Sequence, residues 1–144
     1  MPRFFTLLEA EAHLPEVERI LRGILESKQQ HEAAAGELAR IAQRITFAGG
    51  MIAPADRVAQ LRKRKEATAA ALKSAVERLE ELGVLLKDAD TGLVDFPTLY
   101  RDREVYLCWK LGETGIGFWH HVEDGYRGRR PIDSEFLAHH HGGS

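Results

Sequence analysis

Residues 93–132 read LVDFPTLYRDREVYLCWKLGETGIGFWHHVEDGYRGRRPI. This stretch holds both tryptophans, all three tyrosines, the single cysteine and a pair of adjacent histidines of the 144-residue chain. Charged side chains are interspersed among the aromatic ones, and a buried polar group without a partner costs roughly 2–7 kcal/mol. Folding alone does not require so many ionisable groups here, so the stretch is the predicted location of a functional site.

The same stretch decides the fold, because its apolar residues recur with a period of two, which is typical of β-strands. Glycine and aspartate at the breaks favour turns. The pattern predicts a meander of antiparallel strands at Val84–Lys87, Leu93–Leu99, Arg103–Lys110 and Gly115–Val122. Pro97 lacks an N–H, so its strand is expected to lie at an edge or to carry a bulge there.

Helical periodicity precedes Gly83. Thr6 and Glu9 form a T-x-x-E capping box, which predicts a short helix through about His13. Pro15 is favoured in the first turn of a new helix, where its missing N–H is no loss. A short helix is therefore expected to precede a long one.

Two long helices are predicted next. The first is expected to end at Gly49 and Gly50, which accept positive φ, and the second begins at Pro54 and stops at Gly83. Their short connection predicts an antiparallel helical hairpin. A small β lobe cannot cover two helices of this length, so we predict a homodimer through the helices, the alternative being a hairpin that protrudes into solvent.

The predicted fold class is therefore α+β. A long antiparallel helical hairpin occupies residues 1–83, and a small antiparallel β lobe with a C-terminal loop occupies residues 84–144. The two parts are expected to form one folded unit.

Composition excludes several classes of protein. The net charge of −2 gives no strong electrostatic attraction to nucleic acid. The four side chains of the basic run Arg62–Lys65 spread around most of the helix circumference, so they do not form one stripe that could follow a nucleic-acid groove. No run reaches the ~20 apolar residues of a membrane span. A lone Cys108 excludes an internal disulfide, and a soluble cytoplasmic protein is expected. We assign no function to His139–His141, because such a run is also typical of a purification tag.

Distinctive motifs lie near both ends of the chain. They are FTLLEA (5–10), LP (14–15), GLVDFP (92–97), LCWKLGE (107–113), FWH (118–120) and GY (125–126) with Arg129. Together they resemble an uncharacterised bacterial family, domain-of-unknown-function family 2203 (DUF2203). The likeness covers most of the chain, although the middle helices match in length and pattern alone. It implies a small soluble bacterial protein and no established activity.

Glu113, His120 and Asp124 form a candidate metal site. Histidine and carboxylates are ligands that Zn²⁺ and Fe²⁺ accept, and Cys108 would add a thiolate. The spacing matches no established metal motif. The simpler alternative is that His120 hydrogen-bonds a carboxylate and orders the loop.

His120 and His121 point to opposite sides of the predicted strand, because side chains alternate along it. Leu107 and Trp109 are expected to share one side of the sheet with Phe118 and His120. His120 is therefore predicted to point toward the core or its rim, and His121 toward solvent.

The arginines after Gly125 form a candidate anion site. Guanidinium groups bind phosphate or carboxylate through two parallel hydrogen bonds, and Arg127 and Arg129 would supply them beside the ring of Trp119. The alternative is a set of salt bridges that locks the C-terminal loop onto the sheet. The available carboxylates are Asp95, Glu113, Glu123 and Asp124.

These observations favour a non-catalytic, homodimeric interaction module or a module that binds a small anion on the β lobe. Its expected site residues are Asp95, Trp119, His120, Asp124, Arg127 and Arg129. The alternative is a small metal-dependent enzyme that uses Zn or Fe held by Glu113, His120 and Asp124. The chain has no nucleophile elbow, phosphate-binding loop or dinucleotide fingerprint, so whether it is an enzyme stays open.

Overall fold

The structure, a computed structural model, describes residues 3–47 and 54–143. Its elements are α1 (Leu7–Phe47), α2 (Ala55–Leu82), β1 (Leu85–Asp88), β2 (Leu93–Tyr100), β3 (Arg103–Lys110), β4 (Phe118–His121), a 3₁₀ helix (Tyr126–Gly128), β5 (Arg130–Pro131), α3 (Ser134–His139) and β6 (His140–His141). The predicted α+β class is confirmed. Residues 1–22 and 76–144 belong to one compact unit and residues 23–75 to another, and each unit is treated by itself below. The predicted division at residue 83 stays a prediction.

The start of α1 follows the predicted capping box. The Thr6 backbone N–H donates to Glu9 Oε1 at 3.0 Å, and the Glu9 N–H donates to Thr6 Oγ1 at 3.1 Å. These two bonds satisfy N–H groups that the first helical turn leaves without partners. The hydrogen bonds with Thr6 lower the pKa of Glu9.

The prediction of a short first helix that ends near His13 is wrong, because α1 continues without a break through Pro15. A proline inside a helix removes the hydrogen bond to the carbonyl four residues earlier, which here belongs to Glu11. Pro15 and Glu11 are both exposed, so water can solvate that carbonyl. Val17 and Leu21 are fully buried on the same helix, and their packing offsets the lost bond.

Both ends of α2 agree with the helix ends predicted from the sequence. The predicted end at Gly49 and Gly50 lies outside the described residues. α2 begins at Ala55, directly after Pro54, and ends before Gly83, whose φ of +87° suits a glycine. Among the described helices, none combines the length and the apolar character needed to cross a membrane.

In the unit of residues 23–75, α1 and α2 pack against each other through a small apolar core. Ala34, Ile41 and Leu61 are buried there. An ion pair of Glu37 with Arg57, at 2.6 Å, links the same two helices. These contacts confirm the predicted hairpin.

The strands form one antiparallel sheet in the order β1–β2–β3–β4–β5, and β6 also pairs with β2. β1 pairs with β2 over residues 93–95, and β6 pairs with it over residues 99–100. Pro97 lies in the gap between them, and its carbonyl accepts the Phe5 N–H at 2.7 Å. The prediction of an edge strand or a bulge at Pro97 is wrong, because β2 lies between β1 and β3 and its pairing with β3 is regular there. The missing N–H of Pro97 leaves no neighbouring strand without a hydrogen bond, since it falls between the residues that pair with β1 and with β6.

The register of the sheet defines two faces. Leu107 pairs with Trp119, and Tyr106 pairs with His120. The core face carries Phe96, Leu107, Trp109 and Trp119, whereas the site face carries Asp95, Tyr106, Cys108, Phe118 and His120. Both names are used in this sense below.

The prediction that His120 shares a face with Leu107 and Trp109 is wrong by one residue. The connection between β3 and β4 is irregular over residues 111–117, so the alternation of side chains does not carry across it. Trp119 takes the place on the core face instead, where its ring lies 4.9 Å from that of Phe136. His121 is half-buried against Trp119 rather than pointing freely to solvent.

The C-terminal histidines are part of the fold. Asp133 caps α3 by accepting the Phe136 N–H at 2.8 Å. The ring of His140 stacks on that of Phe136, and its Nε2 accepts the Leu7 N–H at 3.2 Å. β6 thus connects the chain's end to the first turn of α1.

Candidate functional site

Three chemically active side chains meet on the site face. Asp95 on β2 pairs directly with Cys108 on β3, and His120 on β4 lies beside them. Their potential ligand atoms all lie within 4.8 Å of one another. The exposed fractions are 1% for Asp95, 0% for Cys108 and 4% for His120. Central strands of an antiparallel sheet thus hold a polar cluster away from solvent; we call Asp95, Cys108 and His120 the buried cluster.

The hydrogen bonds of His120 fix the proton on one ring nitrogen. Nδ1 lies 2.8 Å from the His121 carbonyl, which accepts only, so Nδ1 carries hydrogen. Nε2 lies 3.0 Å from Asp95 Oδ1. Burial disfavours the charged imidazolium, but hydrogen bonds with Asp95, Cys108 and the His121 carbonyl outweigh it and raise the pKa of His120 to about 10. Near neutral pH His120 is therefore an imidazolium that faces Asp95.

A second ion pair lies over the cysteine. Arg129 donates from Nη2 to Glu113 Oε2 at 2.9 Å and from Nη1 to Oε1 at 3.3 Å. Its guanidinium lies 3.9 Å from the ring centroid of Phe118 and 4.3 Å from that of Tyr126. Nη1 is also 4.0 Å from Cys108 Sγ. The loop after β4 is thus fastened to the sheet, as the salt-bridge alternative predicted for Arg129.

A pocket of about 230 Å³ opens beside the buried cluster. Its wall includes Lys87, Asp95, Tyr106, His120, Asp124 and Tyr126. Two members of the buried cluster therefore border space that a ligand can enter. Pockets that combine apolar walls with a few convergent polar groups are where ligands bind most often.

The structure brings together half of the predicted ligand site. Asp95, His120 and Asp124 line the same pocket. Trp119 lies on the core face, where its ring contacts Tyr100 and Phe136. The predicted anion ligand Arg129 is engaged by Glu113, and Arg127 is exposed in the 3₁₀ helix.

The predicted metal set of Glu113, His120 and Asp124 is not brought together. Glu113 binds Arg129 and also accepts the Lys110 N–H at 2.8 Å. Within the part of the chain that the structure describes, the carboxylate, thiol and imidazole groups that converge are those of the buried cluster. His120 is the residue common to both sets.

Sequence reasoning missed two members of the site, Lys87 and Tyr106, and treated Cys108 as an optional addition. A signal for Cys108 was present, because Asp95 is the only charged residue within a strand of otherwise apolar character, LVDFPTL. A charge in such a strand needs a buried partner. Finding the partner requires the register of β2 and β3, which alternation within one strand does not give.

Comparison with known proteins gives one result. A family model described as "Uncharacterized conserved protein (DUF2203)" matches residues 3–132 of the 144-residue chain. The search of curated proteins found no significant match, and neither did the search of solved structures. The matched range contains all three residues of the buried cluster, together with Glu113 and Arg129. This coverage confirms the resemblance seen in the sequence motifs, and the chain belongs to the DUF2203 family.

Proposed function

We propose that the protein is a non-catalytic module that binds a small polar molecule in the pocket on the site face. One observation carries the proposal: the ion pair of Asp95 and His120, more than nine-tenths buried, stands in the wall of an open pocket. A buried ion pair is often no more stabilising than apolar residues of the same volume. Its presence beside a cavity is therefore better explained by ligand recognition than by folding.

The charges around the pocket favour a zwitterionic ligand. Glu123 is neutralised by Arg103 at 2.6 Å, and Asp95 is neutralised by His120. Lys87 and Asp124 also line the pocket, and neither forms an ion pair with any residue that the structure describes. One cation and one anion remain for a ligand that carries both charges.

This ligand class modifies the anion expected from the sequence. Lys87 takes the role first given to Arg127 and Arg129, and its ammonium lies 5.0 Å from the ring centroid of Tyr106. The cavity of about 230 Å³ is smaller than the roughly 300–1,000 Å³ of pockets for drug-sized molecules. A ligand of the size of an amino acid fits these limits.

Binding is favoured over catalysis because His120 has no nitrogen available as a base. Both ring nitrogens are engaged, one with Asp95 and one with the His121 carbonyl. A general base works best when its pKa lies near the operating pH, and the pKa of His120 is about 10. In the metal-free protein this histidine therefore holds its proton.

A panel of small probes tests the proposal. Thermal unfolding is followed with each of the common L-amino acids and with matched compounds that keep only the carboxylate or only the amine. We expect at least one amino acid to raise the melting temperature, and neither half-molecule to do so. Binding measured by calorimetry should be lost in Lys87→Gln and in Asp124→Asn.

The matched control is Lys63→Gln, which removes an exposed lysine that does not line the pocket. Binding should be unchanged in this variant. Stabilisation by the carboxylate compounds alone, or equal binding by Lys87→Gln and the parent, would contradict the zwitterion proposal.

We also propose that the protein is a homodimer formed through α1 and α2. These helices contain 41 and 28 residues, and each has one apolar stripe to bury. Light scattering at micromolar concentration should report twice the chain mass of 16.2 kDa. A mass of one chain would exclude the dimer and leave the ligand site untouched.

A further inference from the structure

We infer that Asp95, Cys108 and His120 together bind one divalent transition metal ion, with Zn²⁺ the best match to the ligands. The inference goes beyond the zwitterion proposal, because it assigns an ion to Asp95 and His120, whereas Lys87 and Asp124 remain the groups that face the small molecule. It replaces the ligand set of Glu113, His120 and Asp124 expected from the sequence.

The kinds of atom in the buried cluster suit Zn²⁺. Thiolate sulfur, imidazole nitrogen and carboxylate oxygen are its three common protein ligands. All three potential ligand atoms lie within 4.8 Å of one another, whereas ligands of a tetrahedral ion at roughly 2.0–2.3 Å lie about 3–4 Å apart. The three ligand atoms would need to draw closer together to hold the ion.

The surroundings of His120 resemble those of a metal ligand. Its Nδ1–H donates to the His121 carbonyl at 2.8 Å, which orients the ring so that Nε2 faces Asp95. Metal-binding histidines usually donate their second N–H to a carbonyl or carboxylate in this way. The nitrogen that would hold the metal is thus already directed at the other two ligands.

The charges of the ligands match those of the ion. A neutral imidazole, a carboxylate and a thiolate sum with Zn²⁺ to zero, so the complete site would place no net charge in the interior.

Arg129 lies within reach of the proposed sulfur ligand. Its Nη1 is 4.0 Å from Cys108 Sγ, and Glu113 holds the guanidinium in place. In a zinc complex this N–H would donate to the metal-bound sulfur, so Glu113 and Arg129 are positioning residues and not ligands.

The pocket provides access to the site. Asp95 and His120 form part of its wall, so an ion and water can reach the cluster from solvent. Three protein ligands leave a fourth position, at which water or the molecule bound in the pocket would coordinate the ion.

Zinc binding to the full chain tests the inference. Protein stripped with a chelator is titrated with Zn²⁺ in competition with a chromophoric chelator. We expect tight binding of one ion whose affinity falls by more than about 100-fold in Asp95→Asn, Cys108→Ser and His120→Gln, beyond the loss of 10–100-fold typical of residues that only support a ligand. Asp124→Asn, which alters the ligand set expected from the sequence, should bind Zn²⁺ as the parent does.

The same variants control for the C-terminal histidines, because all of them keep His139–His141. Zinc binding that is equally strong in the parent and in the three cluster variants would assign the ion to that run and overturn the inference. Absence of tight zinc binding to the parent would overturn it as well.

A second measurement uses the unmodified protein alone, so it does not depend on whether a substituted protein folds. Cobalt(II) bound by a thiolate gives an intense sulfur-to-metal absorption in the near ultraviolet, and Cys108 is the only thiol of the chain. We expect this absorption in the parent protein after stoichiometric loading. Cobalt-loaded protein without it would exclude Cys108 as a ligand.

Discussion

The two faces of one sheet bury their side chains by different physical means. On the core face, Phe96 packs edge-on against Phe5 with ring centroids 5.4 Å apart, and Trp119 stacks on Phe136. These contacts are apolar, and their contribution to stability scales with the area removed from water. The core face therefore explains why the lobe folds.

Charges on the site face and in the loops over it are held in pairs, of which Asp95 with His120 is buried and Glu113 with Arg129 is partly exposed. Asp95 and His120 are 3.0 Å apart, and Glu113 and Arg129 are 2.9 Å apart. Buried pairs contribute little net stability, yet removal of one partner leaves the other uncompensated. The two faces of the sheet therefore serve different purposes, with the fold held mainly by one and the chemistry placed on the other.

The largest expected effect is on the core face. Phe96→Ala removes a fully buried ring and should lower the free energy of unfolding by about 3–5 kcal/mol. Urea denaturation followed by circular dichroism measures the loss. If the loss were under about 1 kcal/mol, the core face would not be the main source of stability.

The next effect is a pH dependence that belongs to the site face. The pKa of His120 is raised in the folded metal-free protein from its ordinary value of 6.5 to about 10. A raised folded pKa stabilises the protein fully below pH 6.5, and this stability is lost as the pH rises through about 10. We expect a fall of the order of a few kcal/mol over that window, since each unit of pKa shift corresponds to roughly 1.4 kcal/mol.

Asp95→Asn is the control for this pH dependence, because it removes the negative partner of the imidazolium. The phenol of Tyr106 also faces His120, and burial raises its pKa. Tyr106 and Cys108 both remain in the variant, so the difference between the two curves reports the pair. Parallel curves for parent and variant would show that His120 does not hold an extra proton.

A smaller effect is expected at the second ion pair. Arg129→Met removes the bonds to Glu113 but keeps an unbranched chain between Phe118 and Tyr126. Arg129 and Glu113 are partly exposed, so the expected loss in unfolding free energy is about 1–2 kcal/mol. An unchanged urea midpoint would indicate that the aromatic stacking, and not the ion pair, fastens the loop.

The smallest effect on stability is expected at the rim of the pocket. Lys87 is exposed, so Lys87→Gln should change the unfolding free energy by less than about 0.5 kcal/mol. The same change is expected to abolish binding of the amino-acid probe. A variant that loses stability along with binding would place Lys87 in the fold and weaken its assignment to the ligand.

The sequence predicted the elements well because periodicity is a local property. The capping box at Thr6 and the stop at Gly83 each depend on a few neighbouring residues, and the structure confirms them. The edge position predicted from Pro97 is wrong, because the order of the strands depends on the whole sheet and not on one residue. Pro15 does not end the helix, since the energetic cost of a proline inside a helix depends on whether the carbonyl that loses its hydrogen bond, here that of Glu11, can be solvated by water. That depends on packing, which is not local.

The site was predicted in part for the same reason. Asp95, His120 and Asp124 were recognised by residue type, and they do share a pocket. The convergence of Cys108 with Asp95 depends on strand register, and the choice of His120 over His121 for the site face depends on the irregular connection at 111–117. Alternation within a strand cannot supply either piece of information.

The link between β6 and α1 has a practical consequence for work with this protein. His140 accepts the Leu7 N–H, and Phe4 and Gly143 exchange backbone hydrogen bonds at 2.7 and 2.9 Å. A protein trimmed after His139 would lose this clasp, and its amino-terminal segment would fray. A metal-affinity resin that binds the imidazoles of His139–His141 would compete with the hydrogen bond between His140 and Leu7. Purification by way of these histidines would therefore perturb the fold at this place.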